Sequence, residues 1–98
     1  MEILEIKNKL KKSQPYLIQR DLLPKMFFKE DRVKRETLHN ELVSKETEYW
    51  IFFYSFIRKL PDVSIGVRLN YTPQNIHKKT LSIIKNNLFL IEDFLKNS

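Results

Sequence analysis

Ninety-eight residues, 42% hydrophobic and 31% charged, suffice for one small domain with one core, and this balance argues against wholesale disorder. There is no cysteine, which removes disulfides, thiolate nucleophiles and cysteine metal ligands together and fits a reducing cytoplasm. The net charge of +6 favours polyanionic partners, and residues 58–98 are the acid-poor part, with 7 basic and 3 acidic groups against 11 and 9 in residues 1–57.

The opening residues Met1 to Lys7 carry acids where a secretion signal needs bases. The charge-free run Tyr49 to Ile57 has nine residues; a membrane-spanning helix needs about 20. A cytoplasmic protein without a membrane partner is expected. Within residues 2–13, Ile3, Ile6 and Leu10 recur at helical spacing, with Lys7, Lys11 and Lys12 on the other side. The spacing predicts a short amphipathic helix ending near Ser13, because Pro15 follows, and its lysines read as a solvated face. Residues 16–23 predict a second short helix ended by Pro24. Residues 25–36 mix Met26, Phe27, Phe28 and Val33 with charges, and read as a loop leading into a helix from about Asp31 to Val43.

Residues 45–60 hold the strongest helical signal. Ser44 is a candidate N-cap, Glu46 and Glu48 fall in the first turn, where the helix dipole favours acids, and residues 49–57 are apolar nearly all round. A helix of that kind sits at the centre of a core or against a partner chain, and the core reading is favoured. Arg58 and Lys59 suit its C-terminus and Pro61 stops it. A short helix over 62–70 and a longer one from 73 to roughly 89 follow. The apolar stretch 88–95 either extends the latter or forms its own helix. No segment alternates with period two over a useful length. The chain therefore reads as all-α: a small helical bundle in one domain (1–98), with N-terminal helices over 1–57, a helix-turn-helix over 60–88 and a tail over 89–98.

The helix-turn-helix rests on spacing. Such a unit needs a small residue where its two helices cross, and four positions later a residue that tolerates a left-handed backbone. It then needs an N-cap, an inward apolar residue, and polar residues facing out toward a major groove. Gly66, the only glycine, supplies the crossing and Asn70 the turn. Ile65 and Leu69 face inward, Tyr71 plugs the turn, Thr72 caps the second helix and Pro73 takes its first position, where the missing N–H costs nothing. Ile76 and Ile83 continue the inward face. The outward set is Thr72, Gln74, Asn75, His77 and Lys78, candidates for base contacts, since Gln and Asn can bond adenine bidentately and Lys favours guanine or phosphate. Arg58, Lys59, Arg68, Lys79 and Lys85 are candidates for phosphate contacts, which give affinity and register.

Ile65-Gly66-Val67-Arg68-Leu69-Asn70-Tyr71-Thr72-Pro73-Gln74-Asn75-Ile76-His77-Lys78-Lys79 resembles the helix-turn-helix of sigma-factor region four, and more closely that of small phage transcription regulators of the ArpU type. The resemblance covers residues 60–88. It implies a small helical bundle that binds promoter-region DNA without a cofactor, from a phage or another mobile element, with residues 73–85 as the recognition helix. Lys79 stands where an apolar residue is frequent, and Leu81 is expected on the outward face beside His77 and Lys78.

An enzyme is not expected. His39 and His77 lie 38 residues apart in different helices, no phosphate-cradling glycine loop or nucleophilic serine motif occurs, and no carboxylate pair or metal set stands out. Two readings remain. The first is a sequence-specific double-stranded DNA-binding regulator, a homodimer through residues 49–57 or 88–95, because one short helix reads too few bases. The second is a protein-interaction module that uses a helix-turn-helix-like fold to bind a host protein such as RNA polymerase or a regulator, with Phe27, Phe28, Trp50, Leu81, Phe89 and Phe94 as anchors.

Overall fold

A computed structural model describes residues 2–27 and 46–97. Ser44, His39, Phe28 and the helix expected from Asp31 to Val43 lie outside the described residues. The described residues form six helices and no strand, and the chain is an all-α bundle.

Helix α1 spans Ile3–Lys12. Ile6 and Leu10 are fully buried on its inner side, and Ser13 ends it in extended conformation while its hydroxyl donates to the Lys9 carbonyl at 2.9 Å. Gln14 is extended as well, the conformation favoured before a proline. Lys7 and Lys11 differ from the solvated face expected of them: Lys7 is buried to 9% exposure and Lys11 is half-buried.

Helix α2 starts with Pro15 at its first position, runs as Pro15–Leu17, widens into a π turn at Ile18–Leu22 and continues as Leu23–Phe27. Pro24 therefore does not end it, contrary to the sequence expectation. In a regular α-helix the ring would collide with the carbonyl four residues back. Here the Leu23 N–H reaches the Ile18 carbonyl, five residues back, and the wider turn before Pro24 absorbs the misfit.

Helix α3 covers residues 46–52 and closes with a second π turn, Phe53–Ile57. The Arg58 N–H bonds the Phe53 carbonyl at 3.0 Å, and Lys59 turns left-handed (φ 55°), so the helix stops four residues before Pro61. Ile51, Phe52 and Phe56 go to the core, as favoured for this segment. Tyr49, Phe53 and Tyr54 pack on its flank with Trp50, which is 36% exposed, and Phe27 of α2 meets Tyr49 edge-on at 5.5 Å.

Helices α4 (Asp62–Leu69) and α5 (Pro73–Asn86) follow. The tail is a separate helix, α6 (Leu88–Asn97). Asn87 makes the break: its backbone leaves the helical region (φ −123°, ψ 28°), its amide donates to the Ile83 carbonyl at 2.9 Å, and its own carbonyl accepts the Ile91 N–H at 3.0 Å. All six helices feed one core, in which Ile65 of α4, Ile76, Ile83 and Ile84 of α5, and Ile91 and Phe94 of α6 meet the residues already named with Ile18, Leu22 and Leu23 of α2. At roughly 25 cal/mol per Å² of apolar area, this burial is the main stabilising term. Among the described residues no helix is long and apolar enough to cross a membrane.

Candidate nucleic-acid interface

The junction between α4 and α5 is built from local backbone requirements. Asn70 ends α4 in the left-handed region (φ 63°, ψ 47°), and the Tyr71 N–H closes the cap on the Gly66 carbonyl at 2.9 Å. Gly66 is buried beneath this turn. A Cβ there would lie well inside van der Waals distance of the Tyr71 carbonyl oxygen, and 3.4 Å and 3.6 Å from the carbonyl carbons of Tyr71 and Thr72. All three atoms are backbone, so only glycine lets the turn fold over α4. The extended Thr72 then caps α5, its Oγ1 accepting the Asn75 N–H at 3.2 Å, with Pro73 at the first helical position. Thr72 keeps its own O–H as a donor.

Below this junction Ile65 and Ile76 are fully buried, Leu69 and Tyr71 are half-buried, and Thr80 tucks its hydroxyl onto the Ile76 carbonyl at 2.8 Å. The other side of α5 faces solvent: Gln74, Asn75, Lys78, Lys79, Ser82 and Lys85 are exposed. Leu81 is half-buried rather than outward. No Asp or Glu occurs from Val63 to Ile91, so the lysines of this surface are uncompensated by acids of their own segment. Lys79 stands 5.1 Å over the Tyr71 ring and Arg68 stands 5.5 Å over the Tyr54 ring, contacts that orient both cations beside the junction. Arg58 is exposed just before α4.

Two of the residues singled out from sequence are engaged within the fold. His77 is half-buried, with Nδ1 3.1 Å from Lys7 Nζ and 3.9 Å from Asp62 Oδ2. Since an ammonium can only donate, Nδ1 accepts and Nε2 carries the proton. Lys7 also approaches Asp62 at 3.9 Å. This cluster ties α5 to α1 and to the first residue of α4. Lys59 turns its ammonium onto the C-terminus of α1, donating to the Leu10 and Ser13 carbonyls, both at 3.0 Å. Lys11 reciprocates at the end of α3, donating to the Ser55 carbonyl at 3.0 Å and the Leu60 carbonyl at 3.5 Å. Burial holds both lysines below the usual ammonium range; Lys7 adds to this at Lys11, and Lys11 at Lys59. Sequence reasoning missed this brace. Its bonds span 44 to 49 residues, and a lysine at a helix end carries no mark of which distant carbonyl it will meet.

No protein-family model, curated protein or solved structure matches this chain.

Proposed function

We propose that α4 and α5 act as a DNA-binding helix-turn-helix, with α5 laid in the major groove of double-stranded DNA, and that the protein is a sequence-specific transcriptional regulator that works without catalysis or a cofactor. The observation that carries this reading is the junction. A left-handed Asn70, a crossing that admits only glycine and a Thr72-capped helix together present Gln74, Asn75 and Lys78 on a helix that carries no carboxylate of its own. Gln74 and Asn75 supply paired donors and acceptors for base edges, with the Thr72 hydroxyl beside them. Arg58, Arg68, Lys79 and Lys85 supply phosphate contacts. Lys59 belongs to the fold in this reading, since its ammonium already meets two carbonyls, and so does His77, whose Nδ1 is engaged with Lys7.

The test is fluorescence anisotropy of the protein with mixed-sequence duplex DNA over a salt series, followed by site selection. Binding should weaken on the order of tenfold or more between 50 and 200 mM salt. Replacing Gln74 and Asn75 together by Ala should abolish preference for the selected site while leaving weak, salt-sensitive binding. An unchanged preference would refute the assignment of α5 as the reading helix. One feature favours a second reading, a protein-docking module for a partner such as RNA polymerase: Val63 and Val67, one turn apart on α4, are 61% and 80% exposed. Absence of duplex binding even at low salt, from a folded protein, would favour that reading.

A further inference from the structure

The exposed side of α6 has no part in the junction between α4 and α5. Phe89 is 89% exposed at the start of this helix, the most exposed large apolar side chain of the described residues. It stands at the edge of an open trough of about 870 Å³, walled by Lys9, Lys12, Ser13 and Gln14 at the end of α1, Leu17 of α2, and Glu92, Asp93, Leu95 and Lys96 of α6. A second concavity of about 420 Å³ shares Leu17 and Asp93 with the first and continues between α2 and α6. The two form one concave seam beside the only large aromatic side chain on α6 that the core leaves out.

The charges of this seam point to its occupant. Only three acids follow residue 57, and two of them, Glu92 and Asp93, line the trough from α6 beside Lys96, with Lys9 and Lys12 of α1 on its other wall. The trough thus carries two acids and one lysine on α6 and two lysines on α1, within a chain of net charge +6. A strongly basic or strongly acidic partner would meet like charge on one wall. A copy related by a two-fold axis along the trough would not, because that operation sets α1 of each copy against α6 of the other. We infer that this seam is a self-association surface: α6 of one copy lies in the trough of the other, Phe89 covers Leu17 and Leu95 there, and Glu92 and Asp93 meet the partner's Lys9 and Lys12. An aromatic anchor framed by complementary charge is the arrangement that concentrates binding energy in interfaces. The inference stands apart from DNA binding, since none of these residues belongs to the α4–α5 surface, although a two-fold dimer would give a helix-turn-helix two half-sites to read.

The test is sedimentation equilibrium of the full chain from about 1 µM to 1 mM, a range that captures weak and moderate dimers. The expected result is a species of twice the 11.9 kDa chain mass whose population falls with salt. Phe89→Glu should weaken dimerisation by roughly 30-fold or more, as loss of a central anchor does. Because these side chains are exposed or line an open trough, circular dichroism of the variants should match the parent. The charge pair gives the decisive control. Lys9→Glu with Lys12→Glu should abolish the dimer, and adding Glu92→Lys with Asp93→Lys should restore it. A monomer at every concentration overturns the inference, and so does a dimer indifferent to Phe89→Glu and to both charge reversals. Salt-sensitive DNA binding that persists in a monomeric variant would separate this outcome from any failure of the DNA-binding proposal.

Discussion

Gly66→Ala adds one methyl group at the most confined backbone position of the α4–α5 junction. The new Cβ would overlap the Tyr71 carbonyl oxygen and touch the carbonyl carbons of Tyr71 and Thr72 at 3.4 Å and 3.6 Å. No rotamer change relieves this, because every obstructing atom is main chain. The turn must retreat by about an ångström to regain an ordinary contact distance. That movement strains the left-handed Asn70 and the 2.9 Å Tyr71–Gly66 hydrogen bond. Overpacking of this kind costs about 1–3 kcal/mol. Alanine returns up to about 1 kcal/mol through its better helix propensity. The net loss lies within about 0–3 kcal/mol and is centred near 1–2 kcal/mol, against a total stability on the order of 5–15 kcal/mol for a domain of this size. It corresponds to a midpoint lowered by roughly 4–16 °C. Thermal and urea unfolding followed by circular dichroism would measure it, with Val67→Ala, at an 80% exposed position of the same helix, as the control expected to stay within about 0.5 kcal/mol. If Gly66→Ala is as stable as the parent or more so, helix propensity dominates and the turn does not press on α4.

Asn70 separates conformational from contact effects: Asn70→Gly should be neutral or slightly stabilising, whereas Asn70→Val should cost about 1–2 kcal/mol, because a β-branched residue resists φ 63°, and urea midpoints would rank the two. The pH dependence of the Lys11–Lys59 brace has a defined sign. Both groups are held below 10.5 in the folded chain, chiefly by burial, so below their lowered values both are charged in either state and the full desolvation cost is present. As pH rises toward 10.5 the unfolded chain binds more protons than the folded one, and this contribution to stability increases. Urea midpoints of the parent relative to Lys59→Met should therefore shift in favour of the parent over that window, and a shift the other way would contradict burial as the dominant cause.

What was legible in the sequence follows the range of the interactions. The α4–α5 junction could be read because each requirement is met within a few residues: a left-handed turn selects Asn70, a helix start selects Thr72 and Pro73, and a close crossing selects Gly66. The amphipathic pattern likewise places Ile6, Leu10, Ile65, Ile76 and Ile83 in the core. Pro24 misled because its effect depends on the hydrogen-bond register of the turn before it, and the π turn at Ile18–Leu22 is a response to packing that composition does not encode. The separation of α6 from α5 turns on Asn87, whose side chain competes for a helical carbonyl, and asparagine does so in one context and not in another. Least legible were Lys7, Lys11 and Lys59. Periodicity assigns a lysine opposite an apolar stripe to solvent, but the long apolar stems of these three let their ammonium groups reach carbonyls and an imidazole across helix contacts.

The Lys7–His77–Asp62 cluster decides what His77 does, and a double-mutant cycle can resolve it. If His77 serves to hold α5 against α1, Lys7→Met and His77→Ala should each destabilise the fold, and their combination should cost less than the sum. A coupling of about 0.5–1.5 kcal/mol suits one partly buried hydrogen bond. DNA binding supplies the opposite arm of the test. A structural His77 affects affinity for all sequences alike, through the population of folded protein, whereas a base-reading His77 changes the ranking of sequences. Zero coupling with Lys7 together with an altered sequence preference in His77→Ala would return His77 to the reading surface beside Gln74 and Lys78, and would mean that α5 is held against α1 by Ile76, Thr80 and Ile83 without help from this polar contact.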